Sequence, residues 1–360
     1  MGGALSESDL HRCGLLDVSD GNGVYWEVRG NPAGRPVLIV HGGPGGGRSR
    51  NAHKSFDHDV FRIVSFDQRG CGNSVPSAAD PSTDMAHNTT EHLLADMEAL
   101  REHLRVERWL LYGGSWASTL ILAWAERHPE RVSGIILVGV TMTRPREIDW
   151  LYHGLRLLLP MEWERFRAGA PAQERDGNLV EAYRRLMEHP DLAVREQAAR
   201  DWCVWEDDAI AHESLGNPGQ YSAKPDAAKL AFVRICTHYF AHNAWLEDEQ
   251  ILRNAERLRG VPGVLIHGRL DLSGPLLTEA TATSACNPEF CTTPVQRRSS
   301  SPTAQAIALS SILTAKDAQF VLLAASYPGS TCTSEGSNAE ARRGQARRPA
   351  HFGCHRRCTR

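Results

Sequence analysis

The chain has 360 residues, 41% hydrophobic and 23% charged, with a formal net charge of −3. This composition excludes a wholly disordered, collagen-like or coiled-coil chain, and the charge balance excludes a protein built to coat nucleic acid or an anionic membrane. No run approaches 18 uncharged apolar residues, so no membrane-spanning helix is expected, and the length fits two domains or one large domain with an insertion.

The first six residues, M-G-G-A-L-S, lack the basic and apolar regions of a signal peptide. They match the loose myristoylation pattern M-G-x-x-x-S, which fixes too few positions to outweigh chance. Nine Cys, an odd number without framework spacing, argue against a secreted disulfide scaffold. The cytoplasm is the expected location.

Short apolar runs alternate with helical patterns through residue 140. Residues 24–28 alternate like an exposed strand. Residues 36–40 (P-V-L-I-V) form a continuous apolar run ending in His41-Gly42-Gly43-Pro44-Gly45. Residues 61–66 form another, ending in Asp67-Gln68-Arg69-Gly70. Leu93, Leu94, Met97, Leu100 and Leu104 recur at helical spacing, with Thr89 or Thr90 as N-cap. Residues 109–112 predict a strand, 118–127 a helix stopped by Pro129, and 135–140 a further strand. Continuous apolar strands alternating with helices imply a parallel sheet covered on both faces. From 141 to 255 strand signals give way to helices rich in Trp, Arg, Glu and Leu. Residues 261–266 return as a buried strand followed by His267-Gly268-Arg269-Leu270-Asp271. The expected organisation is a core of 1–140, a helical cap of 141–255, a return of the core at 256–277 and a divergent tail of 278–360.

The sharpest local signal is Gly113-Gly114-Ser115-Trp116-Ala117 between a strand and a helix. It is the nucleophile elbow with Ala117 where the last Gly usually stands. Ala adds one methyl, so the tight turn is expected to survive. The turn sets Ser115 proud of the sheet, aims the Trp116 N–H at a developing oxyanion, and places both at a helix N-terminus. The competing interpretation, a Gly/Ser turn without chemistry, loses weight because of this strand–helix context. The glycines after residue 40 let backbone approach a ligand, and Gly43 is the candidate second oxyanion donor. A phosphate loop is discounted, since neither G-K-[ST] nor G-x-G-x-x-G spacing is present. Asp271 follows a strand, and the order Ser then Asp is that of α/β-hydrolases. Without Ser115 it would read as a carboxylate closing a turn.

Together, H-G-G-P-G at 41–45, D-Q-R-G-C-G-N-S at 67–74, G-G-S-W-A-S at 113–118 and H-G-R-L-D at 267–271 resemble the prolyl iminopeptidase family of serine peptidases. Trp202-x-x-Trp205-Glu206 and His238-Tyr239-Phe240 extend the resemblance, which covers about residues 15–277. It implies an α/β-hydrolase core with an inserted helical cap, no metal or cofactor, and a small peptide substrate with N-terminal proline. Oligomeric state is left open. It assigns Ser115 as nucleophile, Asp271 as triad acid, and Gly43 and Trp116 as oxyanion donors. Gln68 and Arg69 are expected to tie loops behind the site. Glu206 matches the carboxylate that holds the substrate amine, and Trp205 would flank the pyrrolidine or cation. A cap helix with its Trp in the core and Glu206 outside is the plainer alternative. Another serine hydrolase, an esterase or amidase, and an inactive scaffold are the competing functions.

Two departures stand out. Cys236 occupies the position of the family's usual second amine-binding Glu, as a packing thiol rather than a nucleophile. The triad His, which the family places in a Gly-His segment after one more strand, has no counterpart. No His occurs between His267 and His351. Residues 1–277 hold 30 Lys/Arg against 38 Asp/Glu, net −8, whereas 278–360 hold 10 against 5, net +5. All nine Trp lie between Trp26 and Trp245, and five of nine Cys lie in the last 75 residues. The break predicts a tail read out of frame. A strand followed by Gly-His in another reading frame of the gene is the check. The alternative is that His351 or His355 folds back as base. A metal site at His351-x-x-Cys354-His355-x-x-Cys358 is discounted as chance. The run 320–325 is strand-like. The tail is expected to lack a fixed fold for the most part, with a helix at 304–314.

Overall fold

A computed structural model describes residues 10–211, 219–268, 271–275 and 321–325. Its described strands are β1 (Leu10–Asp17), β2 (Gly23–Gly30), β3 (Arg35–Val40), β4 (Phe61–Phe66), β5 (Trp109–Ser115), β6 (Val132–Val140), β7 (Gly263–Gly268) and β8 (Val321–Ala325). They form one sheet in the order β1-β2-β4-β3-β5-β6-β7-β8. β2 runs antiparallel to both β1 and β4, and the pairs from β4 through β8 are parallel. The described helices are α1 (Thr90–His103), α2 (Trp116–Ala125), α3 (Pro145–Tyr152), α4 (Pro160–Gly169), α5 (Leu179–Met187), α6 (Leu192–Ile210), α7 (Asp226–Ala241) and α8 (Gln250–Asn254).

The apolar strands are buried on both faces. Along β3, Leu38 and Val40 join a cluster with Leu93 and Met97 of α1 and Leu120 of α2. Val37 and Ile39 enter a second cluster with Phe56, Phe61 and Ile63. The two-residue strand period thus feeds one sequence into two cores. From β3 the order steps to β4 on one side and β5 on the other. Such a reversal opens a crevice beyond the C-terminal ends of β3 and β5, where the glycine loop and Ser115 stand.

The helices α3–α8 fall between β6 and β7. Those through α7 build their own core from Tyr152, Trp163, Phe166, Tyr183, Trp202 and their neighbours. α7 also reaches the sheet's core through Ala231, Ile235 and Tyr239.

Several local expectations shift. Residues 24–28 do not form an exposed strand: β2 is largely buried. Val24, Trp26 and Val28 enter the core, while Glu27 is covered by Arg29 and Arg48. β1 was not anticipated, because its sequence is mixed and its side chains are mostly exposed. The helix expected at 118–127 begins two residues earlier, directly after Ser115. Thr89 is the N-cap residue of α1 without capping it; its hydroxyl pairs with His92 Nδ1 at 2.8 Å. In the tail, the strand-like run becomes β8 beside β7, whereas residues 304–314, His351 and His355 lie outside the described residues.

Candidate active site

Ser115 ends β5 and caps α2 with φ 54° and ψ −132°. Only small neighbours permit this turn. A Cβ on Gly113 would lie 2.6 Å from the Ala117 Cβ and 2.9 Å from the Val40 oxygen. One on Gly114 would lie 2.5 Å from the Val138 oxygen. Ala117 is therefore tolerated because residue 113 is glycine. The side chain of Ser115 is exposed to the crevice.

The loop after β3 passes directly over this turn. A Cβ on Gly42 would sit 3.0 Å from the Gly114 oxygen and 4.0 Å from Ser115 Oγ. Gly43 has φ +128°, and a Cβ there would meet the Gly46 nitrogen at 2.5 Å, so glycine is required. Gln68 organises the region behind it. Its backbone N–H donates to His41 Nε2 at 3.0 Å, its side-chain amide donates to the His41 oxygen at 2.8 Å, and its carbonyl accepts from Trp116 Nε1 at 3.0 Å. Arg69 turns away to chelate Asp96 at 2.7 and 2.8 Å. Both residues of the D-Q-R-G segment thus tie loops together, as the sequence implied.

A cavity of about 410 Å³ lies above the turn, with Gly43, Ser115, Trp116, Tyr152, Glu206 and Asp271 in its wall. Asp271 Oδ1 accepts from Ser273 Oγ at 2.7 Å and from the Gly274 N–H at 2.9 Å. Its Oδ2 lies 3.6 Å from His267 Nε2. His267 also borders the cavity, but its nitrogens hold backbone: Nε2 donates to the Gly274 oxygen at 2.6 Å and Nδ1 accepts from the Val140 N–H at 3.1 Å. This ring scaffolds the Asp271 loop. Among the described residues, no other His borders the cavity.

On the cap side, Glu206 projects from α6 and is 8% exposed. Its Oε1 accepts from the Tyr152 hydroxyl at 2.5 Å. Burial pushes its carboxyl up to about 7, against the opposing pull of that hydroxyl. Tyr152 carries no sequence motif, so only the fold reveals it. Phe240 and Tyr221 bring further rings to the wall. Trp205 does not: it is buried in the cap, stacked on Phe166 with centroids 5.4 Å apart, and is not among the cavity's lining residues. One α-helical step separates it from Glu206, and that rotation turns the indole into the cap core.

Cys236 is fully buried on α7, and its thiol donates to the Pro44 oxygen at 3.2 Å. Burial, reinforced by the nearby Glu206, pushes the thiol well above its usual range. It is a packing and tethering group, in keeping with the sequence reading. Lys224 adds a second tether to the glycine loop, donating to the Gly46 oxygen at 3.0 Å. Trp150 Nε1 donates to the Leu272 oxygen at 2.8 Å and so holds the Asp271 loop from the cap.

A mostly parallel sheet with a serine at a strained strand–helix turn, under a helical cap, defines an α/β-hydrolase. The family model for the alpha/beta hydrolase fold matches residues 35–284. A probable proline iminopeptidase of Streptomyces coelicolor is 46% identical over 267 residues, covering 73% of this chain and 82% of that protein. The proline iminopeptidase of Neisseria gonorrhoeae is 44% identical over 267 residues, with the same two shares. The crystal structure of a Mycobacterium smegmatis proline iminopeptidase matches with a TM-score of 0.52 at 16% identity, covering 87% of this chain and 90% of that one, a likeness of fold. The chain belongs to the proline iminopeptidase family. No helix among the described residues is long and apolar enough to cross a membrane.

Proposed function

We propose that the chain is a serine aminopeptidase that releases N-terminal proline from peptides through an acyl-enzyme. The observation that carries this reading is one cavity with Ser115 at its floor and the buried carboxylate of Glu206 in its wall. A desolvated carboxylate backed by a tyrosine hydroxyl suits a cationic secondary amine, which a peptide presents only at its N-terminus. Tyr152, Phe240 and Tyr221 supply rings for the pyrrolidine. The relatives named above act, by their names, on the same terminal residue.

In this reading, Ser115 Oγ attacks the carbonyl carbon of the terminal proline. The backbone N–H groups of Gly43 and Trp116 stabilise the oxyanion. The C–N bond breaks, the rest of the peptide leaves as an amine carrying a proton, and water then cleaves the prolyl ester to free proline and Ser115. Asp271 orients the imidazole that takes the Ser115 proton. His267 is committed to backbone, and the imidazole is left unassigned, with His351 and His355 put to the test below. The division into core (1–140, 256–277) and cap (141–255) accompanies this reading, supported by the separate apolar cluster of the cap. So does a cytoplasmic setting, supported by the free thiols of Cys13, Cys71, Cys203 and Cys236.

The test is hydrolysis of proline p-nitroanilide by the purified chain, with Ser115→Ala, His351→Ala and His355→Ala alongside. Turnover lost in Ser115→Ala is the expected result, and loss in one His variant would identify the base. A preference for short acyl esters over the anilide would refute the peptidase reading. No turnover above Ser115→Ala would make this chain a scaffold without its base.

A further inference from the structure

A second cluster of chemistry-bearing side chains lies away from the cavity, where the β1–β2 turn meets the segment leading into α1. Asp20, His87 and His92 each bring one donor atom to within 4.8 Å of the others. Asp20 Oδ1 is 3.6 Å from His87 Nδ1, and Asp20 Oδ2 is 3.5 Å from His92 Nε2. These separations are too long for direct hydrogen bonds, which fall at about 2.7–3.2 Å. Each ring nitrogen thus faces its own carboxylate oxygen across a gap wider than a hydrogen bond, with one donor of each residue inside 4.8 Å of the others.

The far side of the His92 ring is engaged as well. His92 Nδ1 meets the Thr89 hydroxyl at 2.8 Å, and Nε2 faces Asp20. His87 Nε2 lies 3.9 Å from Asp84 Oδ2. A hydrogen-bonded remote nitrogen is the usual outer support of a metal-binding imidazole, and His92 has that partner in Thr89. Arg69 also approaches Asp20 Oδ2 at 3.7 Å, with its guanidinium paired to Asp96 by a two-pronged bond.

We propose that Asp20, His87 and His92 form a Zn2+ site, outside the lining of the catalytic cavity, that staples the β1–β2 turn to the first turn of α1 and the segment before it. Three nitrogen and oxygen ligands leave the fourth position to water. The staple has a structural target. The carbonyls of Ala78, Asp80 and Thr83 in the same segment receive the Arg234 guanidinium of α7. Zn2+ therefore stiffens the ledge on which the cap helix rests. This inference is independent of the peptidase reading.

The experiment uses the full chain, freed of metal with chelator and dialysed against Zn2+, beside His87→Ala/His92→Ala and Asp20→Asn. Bound Zn2+ is counted and the unfolding midpoint is followed with and without the ion. Cysteines and histidines of the tail are common to all three proteins and cancel in the difference. The wild-type chain is expected to hold one equivalent more than either variant and to gain more in midpoint. Equal stoichiometry in the three proteins would overturn the site. Loss in the double variant with full retention in Asp20→Asn would equally overturn it, since the carboxylate would then be no ligand. Should the double variant fold poorly, Asp20→Asn alone decides.

Discussion

Replacing Glu206 by Gln leaves a side chain of the same shape that still accepts from the Tyr152 hydroxyl, but removes the charge that the proposed substrate amine meets. One hydrogen bond to a charged group is worth about 1.5–3 kcal/mol, so kcat/KM for proline p-nitroanilide should fall about 10- to 150-fold. A short acyl ester without an amine should be hydrolysed at an unchanged rate by the same variant. The pH dependence adds a second signature. Burial pushes the Glu206 carboxyl up to about 7, so in the free wild-type enzyme it gains a proton as the pH falls below 7. Each further unit of acid then lowers kcat/KM for the anilide about tenfold through this group alone. The Gln variant lacks that limb, and the ester never shows it, which separates Glu206 from the catalytic base. Stopped assays from pH 5.5 to 8.5 with both substrates provide the measurement. Equal losses on anilide and ester, or an acid limb unchanged in the variant, would refute amine recognition by Glu206 and leave it as a buried structural carboxylate.

Gly113→Ala drives a methyl into Ala117, Ile121 and the Val40 oxygen. It should destabilise the chain by about 1–3 kcal/mol in urea unfolding and abolish Ser115 labelling by a fluorophosphonate. Adding Ala117→Gly should restore only part of the stability, because the Val40 contact is to backbone. Glu126 is buried at the end of α2, and burial pushes its carboxyl up to about 8 against the pull of Arg257 and Asn254. Its charged form is disfavoured in the folded state, so its contribution to stability falls as pH rises from about 4.5 to about 8. Glu126→Gln should therefore gain about 3 kcal/mol relative to wild type between pH 5 and pH 8.5, and equal pH slopes in the two proteins would refute the assignment. His267→Ala strands the Val140 N–H and the Gly274 carbonyl, at about 2–4 kcal/mol in urea unfolding, and a loss below about 1 kcal/mol would show that the ring holds neither.

The parallel part of the sheet was legible because strands covered on both faces are written as unbroken apolar runs. The residues 36–40, 61–66, 109–112 and 135–140 each fall inside an observed strand. β1 left no such trace: it lies at the sheet's edge with most side chains in water, so hydrophobicity did not select its sequence. The turn at Ser115 and the loop at Gly43 were legible because a strained conformation and a positive φ each demand particular residues, whereas Asp271 stood out only by its order after Ser115. Tyr152 was not, since what defines it is proximity to Glu206 across 54 positions of sequence. Trp205 misled for the same reason. Adjacency to Glu206 in sequence says nothing about which side of a helix a residue occupies.

The tethers between cap and core bear on how such enzymes can be altered. Lys224 and Cys236 grip the glycine loop, while Trp150 grips the loop of Asp271. The cap is therefore a keystone wedged between the two halves of the catalytic apparatus, and no door. Peptide must thread in past it, and exchange of the cap for another would loosen the glycine loop and the Asp271 loop together. New substrate preferences are better sought by repainting the wall around Tyr152, Tyr221 and Phe240, with the arch left standing.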